Sequence, residues 1–438
     1  MRIGFLFNHD QIHQIAHSLP IGVALAQLTD AEIIFATSSQ AATNEVRRLA
    51  GALIGSRIRL VELSVTRRSS RIVAALLNRL LPARKLLIYR DNLAFFRSLD
   101  ALVVTEKTSL VLKSRYGMTA LKIIHTRHGA GDRAVGFNRT SAEFDHILVS
   151  GEKIQSRLVT ETGADNRKIS IVGYPKFDLA TQPTVLSALD DDRPIVLYNP
   201  HATPHLSSWY KMGRAVLDWF AEHPEYRLIF APHVMLFERP LVISIDPLAF
   251  GWPGKISKRH LSAENIHIDL GSRACTTMSY TDRADIYIGD VSSQVYEFLR
   301  TPRPCLFLDA NGVTDWANDR NFIHWQAGPV ISEVGRLGEG LEQAIETHGS
   351  HFAKVQKLLF QNSFDIDPKM LSSERAARVI ASVSHIPVSS HAHVDMSKRV
   401  LLDAVDHLHK YPERGRSFRP SRERQQQAMR FNLSRGRD

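Results

Sequence analysis

The sequence predicts an α/β fold made of two doubly wound parallel sheets, on three observations. Short, unbroken apolar runs recur along the chain, many closed by Ser, Thr, Gly or Asn. Helical stretches separate them. The series stops after Pro175 and a second one starts near Pro194. A strand buried on both faces reads as an unbroken apolar run, and parallel neighbours need a crossover between them. With 438 residues and 44% hydrophobic content, the chain can fill two cores.

The first series opens with "RIGFLFN" at Arg2, "AEIIFATS" at Ala31 and "RIRLVELS" at Arg57. It continues with the end of "FRSLDALVVTEK", then "LKIIHT", "FDHILVSG" and "KISIVGYP". Helices are expected in "HSLPIGVALAQLT" and "SQAATNEVRRLAGALIG". "TQPTVLSALDDDRP" is a linker, weak in pattern and broken by proline. The second series is "PIVLYNP", "YRLIFAPH", "NIHIDL", "ADIYIGD" and "PCLFLD". The expected domains are residues 1–180 on an acceptor side and 190–385 on a nucleotide-donor side. Residues 386–438 are expected to form a helix and a basic tail that stays unfolded. Two such domains facing across a cleft make the GT-B arrangement. In such sheets ligands bind beyond the carboxyl ends of the strands.

The net charge of +10 points to anionic partners. One basic cluster spans Thr66–Arg90, where Ile72, Val73, Leu76, Leu77, Leu80 and Leu81 fall at helical spacing among arginines. It reads as an amphipathic helix, packed on a core or laid on an anionic membrane surface. The Arg-rich tail is the other cluster. No apolar run reaches the roughly 18 residues of a membrane span. The N-terminus reads as a first strand rather than a leader. Cys275 and Cys305 lack metal-ligand spacing and sit in apolar surroundings, as buried thiols of a reducing compartment do. The expected location is cytoplasmic, peripheral on the inner face of the membrane. Nucleic-acid binding is disfavoured, because no basic platform carries interleaved aromatics.

The strand ends hold the chemistry. After "LKIIHT" come Arg127, His128, Gly129, Ala130, Gly131, Asp132 and Arg133. An imidazole titrates near neutrality, so His128 suits a general base. The glycines let a substrate approach the backbone. Asp132 could orient the base or bind an acceptor, and Arg127 and Arg133 could hold phosphate. The alternative is a glycine-rich turn. Lys176 and Asp178 follow "KISIVGYP", and His233 follows "YRLIFAP". "ADIYIGDVSSQVYEFLR" ends a strand at Gly289-Asp290 and starts a helix at Ser292 and Ser293. Free N–H groups and the dipole make a helix start an anion site, although an ordinary N-cap reads the same way. His201 and His205 are separated by Pro204 and show no clear third ligand, so no metal is expected. His9, His13 and His17 would share one helical face: a metal face, an acceptor wall or a surface stripe. No P-loop and no GxSxG elbow occurs.

Taken in order, "RHGAGDR", "GYPKFD", "LYNPHATPHLSSWY", "FAPH" and "IGDVSSQVYEFLRTPRPCLFLD" resemble the CDP-glycerol glycerophosphotransferase family, over roughly Lys122–Asp309. These are GT-B enzymes that build polyol-phosphate polymers. The matching residues are His128 and Gly129, Pro232 and His233, Asp290, Ser292 and Ser293, then Tyr296 and Glu297. Ala130-Gly131 replaces the family's usual Thr-Pro, and "YNPHATPHLSSWY" departs from its usual pattern. The resemblance implies transfer of an alditol-phosphate from a CDP-linked donor to a hydroxyl of a glycan or lipid-linked acceptor. It implies His128 as base and His233 on the donor phosphate or leaving group. It places Ser292, Ser293 and their neighbours Asp290, Gly129 and Arg127 at the donor phosphates, with Glu297 at a ribose. No cofactor is expected, because the nucleotide-activated donor is the substrate. Two alternatives remain: a nucleotide-sugar glycosyltransferase on the same fold, and a non-catalytic nucleotide-ligand binding protein that would not need His128.

Overall fold

The computed structural model describes residues 1–8, 11–67, 83–127, 129, 131, 136–179, 191–245 and 247–389. The first apolar series forms one parallel sheet: β1 Arg2–Phe7, β2 Glu32–Thr37, β3 Ile58–Glu62, β4 Ala101–Val104, β5 Lys122–Thr126, β6 His146–Val149 and β7 Ile169–Ile171. Its spatial order is β3-β2-β1-β4-β5-β6-β7. The second series adds β8 Ile195–Asn199, β9 Arg227–Phe230, β10 Val242–Ile245, β11 Leu248–Gly251, β12 Ile266–Ile268, β13 Ile286–Gly289, β14 Cys305–Leu308 and β15 Val330–Ile331. Six of these form the second parallel sheet, in the order β12-β9-β8-β13-β14-β15. β10 and β11 make a separate antiparallel hairpin. Every apolar run singled out in the sequence is a strand. The hairpin and the two-residue edge strand β15 are additions.

Register is set by apolar residues packed on both faces. Phe5 in β1 pairs with Phe35 of β2 and Val103 of β4, and all three are buried. Each sheet has an apolar cluster on either side, as a doubly wound sheet must. The helix Leu19–Leu28, with proline in its first turn, is buried along almost its whole length. The helix Gln40–Ala50 starts where Ser39 accepts the Ala42 N–H and stops at Gly51, where φ is 53°.

The chain returns to its first half at the end. Ala376, Ala377, Ile380 and Ala381 of the helix Ser372–Val383 join the core of the first sheet beside Leu19–Leu28. The expected boundary at 385 is therefore too late. Small residues on one face let this helix seat closely on the first layer, and the periodicity of one helix does not say which layer it covers. Lys122 Nζ donates to the Val383 carbonyl at 2.7 Å, and the Ser373 N–H donates to Asp178 at 2.6 Å. The described residues accordingly fall within one compact unit. Most of the expected linker, most of the basic stretch Thr66–Arg90 and the tail lie outside the described residues. Among the described residues no helix is long and apolar enough to cross a membrane.

Candidate functional site

In each sheet the chain reverses direction of growth once, between β1 and β4 in the first and between β8 and β13 in the second. Crevices open at such points. The segments leaving these strands meet in a cleft of about 510 Å³. Gln11, His13 and His17 follow β1, and Thr105, Glu106 and Lys107 follow β4. Across from them stand His201 after β8, Ser292, Ser293 and Glu297 after β13, and His233 after the neighbouring β9.

The glycine loop and the serine pair come together here. Arg127, Gly129 and Gly131 line the cleft with Ser292 and Ser293. A methyl added at Gly131 would lie 3.1 Å from Ser293 Cβ, and one at Gly129 would lie 3.6 Å from Ser293 Oγ. Gly129 also has φ of 74°, which L side chains rarely adopt. The backbone approaches the serines this closely because no side chain intervenes. His128 and Asp132 lie outside the described residues, as do Arg133 and His9.

The histidines of the second sheet cluster around the same space. The His201 and His233 rings are 5.2 Å apart, and His13 is 6.4 Å from His233. His233 Nδ1 accepts the Met235 N–H at 3.3 Å, and His201 Nδ1 accepts the Thr203 N–H at 2.9 Å. An Nδ1 that accepts places the neutral ring's proton on Nε2. His13 and His17 sit on a 3-10 turn, Ile12–His17, rather than on an α-helix. Both line the cleft, which fits the acceptor-wall alternative. Among the described residues no group of three His, Cys, Asp or Glu side chains could hold a metal ion.

The two acids of the "GDVSSQVYE" stretch have separate surroundings. Asp290 is fully buried and does not line the cleft. Its carboxylate accepts from the N–H groups of His201, Ser208 and Val291 and from Ser208 Oγ, all within 3.2 Å. Burial pushes its pKa up, and those N–H donors oppose the shift. The expectation that Asp290 binds donor phosphate does not fit this position. It ties the loop after β8 to the end of β13, and a carboxylate would repel a phosphate. Glu297 does line the cleft. Its Oε1 accepts from Lys176 Nζ at 2.6 Å and from the Tyr174 hydroxyl at 3.3 Å, while its buried Oε2 has no partner.

The first sheet contributes charge. Arg127 Nη1 donates to the Gly136 carbonyl at 2.7 Å, and its guanidinium lies 4.4 Å over the Phe137 ring. Lys107 Nζ donates to the same carbonyl at 3.2 Å and to Asn138 Oδ1 at 2.8 Å. Neither cation meets a carboxylate among the described residues. Burial, with Arg127 beside it, holds Lys107 down to about 8. Burial, with Arg157 nearby, holds Arg127 down to about 10. Sequence reading missed Lys107, because a lone lysine three residues past an apolar strand carries no pattern. It placed Lys176 correctly at a strand end, but its Glu297 partner is 121 residues away.

No protein-family model and no curated protein matches the chain. Solved structures do. UDP-GlcNAc 2-epimerase from Neisseria meningitidis, bound to UDP-GlcNAc, aligns with a TM-score of 0.54 at 14% identity, over 87% of this chain and 99% of its own. S. aureus MnaA, in a co-structure with UDP, aligns at 0.56 and 13% identity, over 88% and 97%. The wall teichoic acid polymerase TagF, soaked with CDPG, aligns at 0.52 and 14% identity, over 88% of each chain. The fold is GT-B. At these identities the likeness extends to the architecture alone. Within that GT-B frame the cleft lies between the two sheets, with cations on the first wall and histidines and serines on the second.

Proposed function

We propose that this cleft transfers an alditol-phosphate, such as glycerol phosphate, from a CDP-linked donor to a hydroxyl of a glycan or lipid-linked acceptor. The observation that carries the reading is the seating of Gly129 and Gly131 directly against Ser293, with His233 and Glu297 lining the same cleft. Motifs far apart in the chain, which resemble those of one family, thus share one space. Among the GT-B structures similar to this chain is a wall teichoic acid polymerase variant soaked with CDPG.

In this reading the donor's phosphates lie over Ser292 and Ser293, whose hydroxyls donate to them. His233, with its proton on Nε2, donates to a phosphate oxygen as charge builds there. Glu297 Oε2 accepts from a ribose hydroxyl, while Lys176 holds the other oxygen. Arg127 attracts phosphate from the opposite wall. His128 takes the proton of the attacking hydroxyl. The new P–O bond forms to the acceptor as the bond to the cytidylate breaks, and CMP leaves. Asp290 acts as a positioning residue behind this set. Asp132 orients the base or the acceptor.

The test is CMP release from CDP-glycerol or CDP-ribitol by the full chain, with a glycan or lipid-linked acceptor. The reading expects acceptor-dependent release that falls roughly 10²–10⁴-fold in His128→Ala. Turnover of UDP-sugars instead would make the protein a nucleotide-sugar enzyme. Binding of cytidine ligands with no turnover, unchanged in His128→Ala, would make it a binding protein.

A further inference from the structure

The hairpin β10–β11 carries an apolar face that nothing in the described structure covers. Ile243 is 54% exposed, Leu248 69%, Phe250 51% and Trp252 67%. Ile243 is the cross-strand partner of Phe250. Leu248, Phe250 and Trp252 alternate along one strand and its continuation, so all four side chains stand on one side. A hairpin face turned to water is ordinarily polar, and a contiguous apolar patch marks a contact surface.

The other side of the hairpin is fixed. Gly251 lies so close to Tyr210 and Pro204 that an added methyl would meet their rings at 2.4 Å and 2.8 Å. Trp209 Nε1 donates to the Pro253 carbonyl at 3.0 Å just beyond it. The apolar face is therefore held outward by packing behind it. Cations flank it in sequence: Arg239 before β10, and Lys255 and Lys258 after β11, are exposed and carry no ion pair among the described residues. Arg259, beside them, pairs with Asp218 and Glu222. Of the acids in this stretch, Glu238 is bonded to Gln11, and Asp246 lies outside the described residues.

We infer that this hairpin face lies on an anionic lipid surface, with Phe250 and Trp252 at the headgroup boundary and Arg239, Lys255 and Lys258 against the lipid charge. Aromatic and aliphatic side chains flanked in sequence by exposed cations that meet no described acid suit that occupant better than a protein partner, which would be expected to meet the cations with acids. The hairpin grows out of the segment after β9, whose first residues, His233, Val234 and Met235, line the cleft. A membrane under the hairpin therefore lies beside the segment that lines the cleft. The residues of this surface are other than those of the basic stretch Thr66–Arg90 and the tail, and the inference does not depend on which reaction the cleft performs.

The test uses the full chain and vesicles of phosphatidylcholine, alone or mixed with phosphatidylglycerol. The expected result is sedimentation with the anionic vesicles and a blue shift of tryptophan emission. Brominated lipid should quench that emission, and Trp252→Phe should abolish both signals. Leu248→Ser/Phe250→Ser should reduce vesicle binding at least tenfold with an unchanged melting temperature. Undiminished binding in that variant would assign membrane attachment to the basic segments and overturn the proposal. So would tryptophan emission that does not respond to bound vesicles. A lipid-free dimer that dissociates in the serine variant would also overturn it, by giving the face to a second copy of the chain.

Discussion

The two walls of the cleft differ in the kind of group they offer. The first wall presents Lys107 and Arg127, two cations that share one backbone carbonyl and meet no described carboxylate. The second presents neutral or hydroxylic groups, His201, His233, Ser292 and Ser293, with one carboxylate, Glu297, that is paired to Lys176, and it keeps Asp290 out of the cleft behind five backbone and hydroxyl contacts. Cations held against each other attract an anion without fixing its orientation. Neutral donors with set directions fix orientation and stabilise charge only where it develops. In the proposed function the first wall draws the anionic substrate in and the second performs the chemistry.

Substitutions can break that division, and the largest effect is expected on the second wall. His233→Ala should lower turnover about 10²–10³-fold with little change in melting temperature, measured by CMP release and calorimetry. Asp290→Ala should act in the opposite way. It leaves three buried N–H groups unpaired, so a loss of about 3–5 kcal/mol in unfolding free energy is expected, read from denaturant melts. A stable Asp290→Ala protein that has lost only ligand affinity would return Asp290 to the donor site.

Glu297 tests the seam between the walls. Glu297→Gln should weaken nucleotide binding about 10–100-fold and strip Lys176 of its charge partner. Lys176→Met in the same chain should recover stability but not affinity, as measured by calorimetry of the single and double variants.

Lys107 sharpens the account of the first wall through pH. Its pKa is held at about 8, below the ordinary lysine value, so folding disfavours its charged form. That cost is present below pH 8 and fades as the pH rises through it. A bound anion reverses the preference. Affinity for an anionic ligand should fall about five- to tenfold between pH 7 and pH 9, with proton uptake on binding near pH 8. Lys107→Met should bind more weakly at pH 7 and lose that dependence.

The smallest expected effect concerns Asp178, outside the cleft. Burial raises it to about 6 although it accepts the Ser373 N–H. The folded state therefore holds its proton more tightly than the unfolded chain does. This group's contribution falls as the pH rises from its ordinary value through 6. Asp178→Asn should flatten that slope and raise the melting temperature at pH 7 by a few degrees.

Both sheets were legible in the sequence because a strand buried on two faces leaves an apolar run that needs no partner to be recognised. The hairpin was not, because "VISI" and "LAFG" are short and their apolar side chains face outward. The packing of Ser372–Val383 on the first layer was hidden because a stripe of alanines is compatible with many faces. In the cleft, residues just after strands could be found from the strands alone, and so Arg127, Gly129, His233 and Ser292 were. Lys107 became visible only when two strand ends met, and Asp290 was misplaced because its partners lie 82 and 89 residues away.

The most direct measurement is a thermal-shift screen of the full chain against CDP-glycerol, CDP-ribitol, CMP, UDP and UDP-sugars, repeated on Ser292→Ala/Ser293→Ala. The account predicts stabilisation by the cytidine ligands and its loss in the double variant. Stabilisation by the uridine ligands alone, or a cytidine shift that survives the loss of both hydroxyls, would contradict it.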